Sequence, residues 1–253
     1  MTPRYHELSL AGRGLTARFL EEGQGEPVLY LHGVIGSKDW NPFLDILVRE
    51  YTVFAPLQPG FGEVDGLEAL SDVVDLALYY FDLLDELRVE RVKVVGHFLG
   101  GMVATEMAAL CPHYVDRLVL SSPAGFWLDD APIPDIFIMN DGEIRANMWH
   151  DSHSLSALAA LPEQESEEKR SDRLLERNID LAAASKFLWP IPDRGLGRRI
   201  HRVKAPVLLL WGEEDRIVPP VYAQEFSSRL ENVKTVMLAR CGHLAMLEEP
   251  ERF

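Results

Sequence analysis

Apolar and polar positions alternate through YHELSL (residues 5–10) and, after a Gly-rich turn, through TARFLEE (16–22), which predicts two strands with one face buried. The next run, PVLYLHG (27–33), is apolar and bounded by Pro and Gly, as a strand buried on both faces would be. The period then changes. In SDVVDLALYYFDLLDELR (71–88), Val74, Ala77, Leu78, Phe81, Leu84 and Leu87 recur at three and four, and Asp72 and Asp75 suit the first turn's dipole. A helix is predicted there, with Ser71 as N-cap. Buried strands are predicted again at VKVVG (92–96), RLVLSS (117–122), APVLLLWG (205–212) and VKTVML (233–238), and helices at 99–110 and 221–230. Strands that alternate with helices imply an α/β fold, a mostly parallel sheet with helices on both faces. One region breaks the rhythm. Residues 126 to about 203 carry no strand signal but hold the mixed segments DIFIMN, ANMWHD, LSALAAL and AAASKFLWP. We expect core at 1–125, a helical cap at 126–203 and the second part of the core at 204–253. The charged run EQESEEKR reads as a solvated helix face.

Bulk properties narrow the functional classes. A chain of 253 residues that is 47% apolar can bury a large single core, and its formal charge of −15 repels nucleic acid and anionic membranes. The N-terminus lacks the apolar core of a signal peptide, and no run approaches a membrane span. Two cysteines, Cys111 and Cys241, make no disulfide framework and have no zinc-ligand spacing. A soluble protein of the reducing cytoplasm is expected. The sequence is silent on oligomeric state.

The chemistry concentrates at strand ends. Between the strand at 92–96 and the helix at 99–110 lies Gly96-His97-Phe98-Leu99-Gly100-Gly101. A tight Gly-flanked turn of this kind sets its central residue at the carboxyl end of the sheet, where open α/β sheets bind ligands. That residue is Phe98, which has no lone pair and no proton to give. Downstream, LLLWGEEDRIVPP places Asp215 beyond one strand, and MLARCGHLAMLEEP places His243 beyond the last. Upstream, YLHGVIGS ends a strand with His32-Gly33, so that the Val34 amide can join the Leu99 amide as an anion-binding donor. Other candidates read as structure. Cys241 fits a buried thiol better than a nucleophile; His150 and His153 in HDSH lack a third metal ligand; Ser121 and Ser122 have no turn to present them. The aromatic residues Trp127, Trp149, Phe187 and Trp189, and with them Phe137, Met139 and Met148, suit a substrate pocket or cap packing equally well.

Together these motifs resemble the α/β-hydrolase superfamily, and within it the capped small-molecule hydrolases that include esterases and carbon–carbon bond hydrolases. The resemblance runs from the HG dipeptide at 32–33 through PGFG (59–62), the elbow at 96–101 and PVLLLWGEEDRIVP to CGHLAMLEEPERF. It implies a cofactor-free, metal-free site for a small apolar or carbonyl-containing molecule. Asp215 would be its acid, His243 its base, the amides of Val34 and Leu99 its oxyanion hole, and His32 with the four aromatics its pocket. Members of the superfamily commonly continue into a last helix past the position of Phe253, and that helix is expected to be missing here. The main departure is at the nucleophile position, which matches Phe98. Loss of a triad nucleophile typically costs on the order of 10⁶ in kcat, so little serine-type activity is expected. Three accounts stay open: a substituted hydrolase, since one base separates some Ser and Phe codons; a non-catalytic binding member; or a general-base enzyme that uses Asp215 and His243 without a covalent step.

Overall fold

The computed structural model describes residues 3–190 and 194–253; residues 1–2, and 191–193 within the expected cap, lie outside the described residues. Eight strands form one sheet: β1 (Tyr5–Leu10), β2 (Leu15–Gly23), β3 (Glu26–Leu31), β4 (Tyr51–Pro56), β5 (Val92–His97), β6 (Val115–Ser121), β7 (Val207–Gly212) and β8 (Val233–Leu238). Their spatial order is β1-β2-β4-β3-β5-β6-β7-β8. The short turn after β1 allows only antiparallel pairing with β2, and β2 pairs antiparallel with β4; every other neighbour is parallel.

Parallel neighbours need crossovers, and helices supply them. They are α1 (Pro42–Leu47), α2 (Val73–Glu86), α3 (Leu99–Leu110), α4 (Asp141–Met148), α5 (Leu155–Ala160), α6 (Glu167–Leu188) and α7 (Val221–Ser227), while α8 (Ala245–Glu248) follows the last strand. The segment between β6 and β7 contains α4, α5 and α6 and, among the described residues, no strand. Helix α3 is buried along almost its whole length, because α2, the sheet and the 3-10 turns near residue 200 all pack on it. Among the described residues no helix is long and apolar enough to cross a membrane.

Strand β4 and helices α1 and α8 had no prediction from pattern. Strand β4 and the six-residue α1 fill the stretch between β3 and α2, and α1 is too short to show a period. It is set instead by Asn41, whose side chain accepts from the Leu44 amide, and by Pro42 in the first turn. The N-cap of α2 is corrected by one residue. Asp72, not Ser71, caps it by accepting from the amides of Val74 and Asp75, while the Ser71 amide donates to Asp75.

The strand order also positions the site. From β3 the chain passes to β4 on one side and then crosses to β5 on the other, so the direction of winding reverses between β3 and β5. A crevice opens at such a reversal beyond the carboxyl ends of the strands. His32-Gly33 follows β3 there, and Phe98 follows β5.

Candidate functional site

Phe98 caps α3 with φ 49° and ψ −107°, a conformation that costs a bulky residue about 1–3 kcal/mol. Packing enforces it. A Cβ on Gly100 would lie 2.1 Å from the Leu31 carbonyl oxygen, and one on Gly96 2.5 Å from that of Gly100, so the turn closes only with glycine at both places. The Phe98 amide donates to the Ser121 carbonyl, and its carbonyl accepts from Met102 and Ala124. The backbone of the elbow is therefore held on both sides. The side chain it presents is a phenyl ring.

Asp215 and His243 meet beside this ring. The loop after β7 turns so that Asp215 Oδ1 accepts from the amides of Ile217 and Val218, each at 2.9 Å. Oδ2 lies 2.9 Å from His243 Nδ1. A carboxylate that accepts elsewhere fixes the imidazole as the Nδ1–H tautomer, which leaves a lone pair on Nε2. Both side chains are fully buried. Among the described residues His243 Nε2 has no partner; the Phe98 ring stands edge-on to the imidazole, 5.0 Å between centroids and 82° between planes.

The His243 loop is held from the inserted segment. The amides of His243 and Leu244 both donate to the Met148 carbonyl, at 2.8 and 3.2 Å. Glu248 accepts from the amides of Gly242 and His150. Burial raises the Glu248 carboxyl above its ordinary range, and the two amides act against that shift.

The amides of Val34 and Leu99 lie on buried residues, and neither donates to a protein acceptor among the described residues. His32 serves the loop and not the cavity: its Nδ1 donates to the Gly33 carbonyl at 2.6 Å, and its Nε2 accepts from the Gln58 amide at 3.1 Å. Burial pushes its pKa down to about 4. It is a neutral structural histidine.

A cavity of about 10 Å³ remains beside the elbow, room for about one water. Phe98, Met102, Ile133, Ile136, Leu188 and Arg194 are among its lining residues. Of the expected pocket residues, Phe137 lines it, whereas His32, Trp127, Trp149, Phe187 and Trp189 do not. Trp149 and Phe187 are fully buried in packing, Trp127 is half-buried with Nε1 bonded to Asp129, and Trp189 is 52% exposed and packs edge-on against Phe137, which does line the cavity. Pattern marks an aromatic residue as apolar; which side of the insertion meets the core decides whether it lines or fills. Arg194, in the charged stretch before β7, gave no sequence signal. Its Nε and Nη2 donate to the carbonyls of Phe187 and Lys186 at the end of α6.

The remaining candidates behave as structure. Cys241 is buried and its thiol is pushed up to about 11, chiefly by burial, which keeps it protonated and unreactive at neutral pH. His150 Nδ1 lies 2.7 Å from Glu214 and His153 Nδ1 3.3 Å from Glu163, so the two histidines meet different carboxylates. Ser121 is buried in β6, and its Oγ has no partner among the described residues.

Known proteins share this fold. The chain is 29% identical over 271 residues to a 2-hydroxy-6-oxononadienedioate/2-hydroxy-6-oxononatrienedioate hydrolase of Paraburkholderia phymatum, covering all of this chain and 93% of that protein. It is 26% identical to the 2-hydroxy-6-oxo-6-(2'-aminophenyl)hexa-2,4-dienoic acid hydrolase of Metapseudomonas resinovorans, covering 98% of this chain and 88% of the relative. A bacterial membrane phospholipase A has the same fold, with a TM-score of 0.82 at 23% identity over 99% of this chain and 83% of its own. The profile of the Alpha/beta hydrolase family matches residues 28–253. With its eight-stranded sheet, this chain belongs to the α/β-hydrolase family and is related to hydrolases of small carbonyl compounds.

Proposed function

We propose that this chain is a hydrolase scaffold for a small, largely apolar carbonyl compound whose acyl position is occupied by its own Phe98. As written it lacks serine-type activity. The observation that carries this reading is the Phe98 ring, buried and edge-on to His243 in the place from which a hydroxyl would hand its proton to Nε2. Asp215 would orient His243, and the amides of Val34 and Leu99 would receive the oxyanion. The helical segment at 126–203 would act as the cap. The apolar lining, with Arg194 at its edge, suits a small carbonyl compound. The acidic charge and the free thiols of Cys111 and Cys241 fit a cytoplasmic protein that does not bind nucleic acid.

The test is hydrolysis of p-nitrophenyl esters and labelling by a fluorophosphonate, for the parent, Phe98→Ser and Phe98→Ser/His243→Ala. Only Phe98→Ser should hydrolyse and label. A folded Phe98→Ser that neither labels nor turns over any ester or dienoate would overturn the hydrolase reading in favour of a binding protein. A second reading rests on the unpartnered Nε2 of His243, which is free to act as general base on a bound substrate without a covalent step. Turnover by the parent that disappears in His243→Ala would support it.

A further inference from the structure

We propose that His97 is a positioning residue: through one fixed tautomer it locks the loop that carries the Val34 amide to the loop that carries His243. The proposal rests on the reading above for what those loops do, but the lock itself can be measured without turnover.

His97 is the last residue of β5, next to Phe98 and buried. Its Nε2 lies 3.1 Å from the His243 carbonyl oxygen. A carbonyl can only accept, so Nε2 carries the proton and Nδ1 carries the lone pair. Nδ1 lies 3.1 Å from Ser37 Oγ, which must donate to it. The same Oγ accepts the Gly33 amide at 2.8 Å. A continuous chain follows: Gly33 N–H to Ser37 O–H, Ser37 O–H to His97 Nδ1, and His97 Nε2–H to the His243 carbonyl.

Each end of this chain sits on a group the site needs. The Gly33 carbonyl accepts from His32, and the Gly33 amide is held by Ser37. With both polar groups of Gly33 fixed, the peptide plane it shares with Val34 is fixed too, and the Val34 N–H points opposite to the Gly33 carbonyl. At the other end, His243 is held by His97 at its carbonyl, by Met148 at its amide and by Asp215 at its side chain. The loop can reach the imidazole only through a glycine, because a Cβ on Gly33 would lie 2.5 Å from His97 Nδ1. The titratable groups that act on His97 are His243 and His32. Burial, and then His243, hold its pKa well below the ordinary histidine range, so the lock keeps one protonation state while exposed histidines titrate.

The first measurement is NMR of the parent protein labelled with ¹⁵N-histidine, with the His97 signal assigned by its loss in His97→Gln. The expected signal is a neutral Nε2–H tautomer that does not titrate between about pH 5 and 8. An Nδ1–H tautomer, or ordinary titration, overturns the lock. The second is kinetics in the Phe98→Ser background. Gln keeps one acceptor and one donor along a similar reach, so His97→Gln should retain kcat within about tenfold, whereas His97→Leu should lower kcat about 10²-fold with KM changed less than about threefold, as displaced catalytic groups do. Ser37→Ala, which removes the donor to Nδ1 and with it the acceptor of the Gly33 amide, should lower kcat about tenfold and serves if His97→Leu does not fold. Equal kcat for the Gln and Leu variants, or no effect of Ser37→Ala, overturns the positioning role. If Phe98→Ser is itself inactive, the hydrolytic reading fails while the tautomer still decides the lock.

Discussion

Truncating Phe98 should reveal the free acceptor on His243 as a difference in stability. Phe98→Ala removes a side chain that is 3% exposed, and core Phe-to-Ala changes cost about 3–5 kcal/mol. Phe98→Ser removes nearly the same volume. Alanine and serine both carry a Cβ at φ 49°, so backbone strain cancels between them. What differs is the hydroxyl. It faces the His243 Nε2, buried and without a partner among the described residues, on an imidazole whose centroid lies 5.0 Å from that of the phenyl ring it replaces. A new hydrogen bond there is worth about 1 kcal/mol, more if it relieves a desolvated acceptor. Phe98→Ser should therefore be more stable than Phe98→Ala by about 1 kcal/mol, while both fall below the parent. For a chain of this size that is a Tm difference of about 2–4 °C. Urea unfolding followed by the fluorescence of buried Trp149 and Trp211, with equal m-values, gives the comparison, and the same pair in a His243→Leu background closes the cycle. Without the acceptor the advantage of serine should vanish or reverse, since its hydroxyl is then buried unpaired. A serine advantage that persists in His243→Leu, or none in the parent background, would refute the placement of the free lone pair.

Other outcomes follow from the same geometry. In the Phe98→Ser background, Asp215→Asn should lower ester kcat about 10⁴-fold without unfolding the protein, because an amide does not hold the Nδ1–H tautomer. Stability should fall as pH drops from about 6.5 to about 4: His32 has a folded pKa pushed down to about 4, so the unfolded chain takes up its proton first. That histidine contributes about 3 kcal/mol, fully present above pH 6.5, and denaturation of His32→Gln across this window should show a shallower slope. Asp180 accepts from Lys38 at 2.5 Å and from the Gly62 amide at 3.0 Å, joining α6 to the core, so Asp180→Ala should cost about 1.5–3 kcal/mol and speed amide exchange along α6 more than along β5.

What the sequence determined by itself lay in features that one short segment sets. The runs VKVVG and PVLLLWG became buried central strands because β-branched and aliphatic side chains suit a sheet covered on both faces. The elbow was legible because Gly96 and Gly100 meet backbone atoms so closely that no Cβ fits, a demand that appears in the sequence as glycine at fixed spacing. Asp215 and His243 were legible because each follows a recognisable strand in a parallel sheet, and such strands end on one side.

The rest depended on how distant segments seat on each other. The Met148 carbonyl that holds His243, the Ser37 hydroxyl against His97 and the Arg194 guanidinium at the cavity join residues far apart in the chain, and no local spacing encodes those meetings. Trp149 and Phe187 show the same limit. Their composition marks them only as apolar, and the docking of the segment between β6 and β7 put them into packing and left a small cavity to Met102, Ile133 and Leu188. The sequence could name Phe98 as the side chain on the elbow. That its ring stands edge-on to the imidazole of His243, whose Nε2 has no partner among the described residues, is decided by tertiary packing, because a buried ring takes whatever volume its neighbours leave.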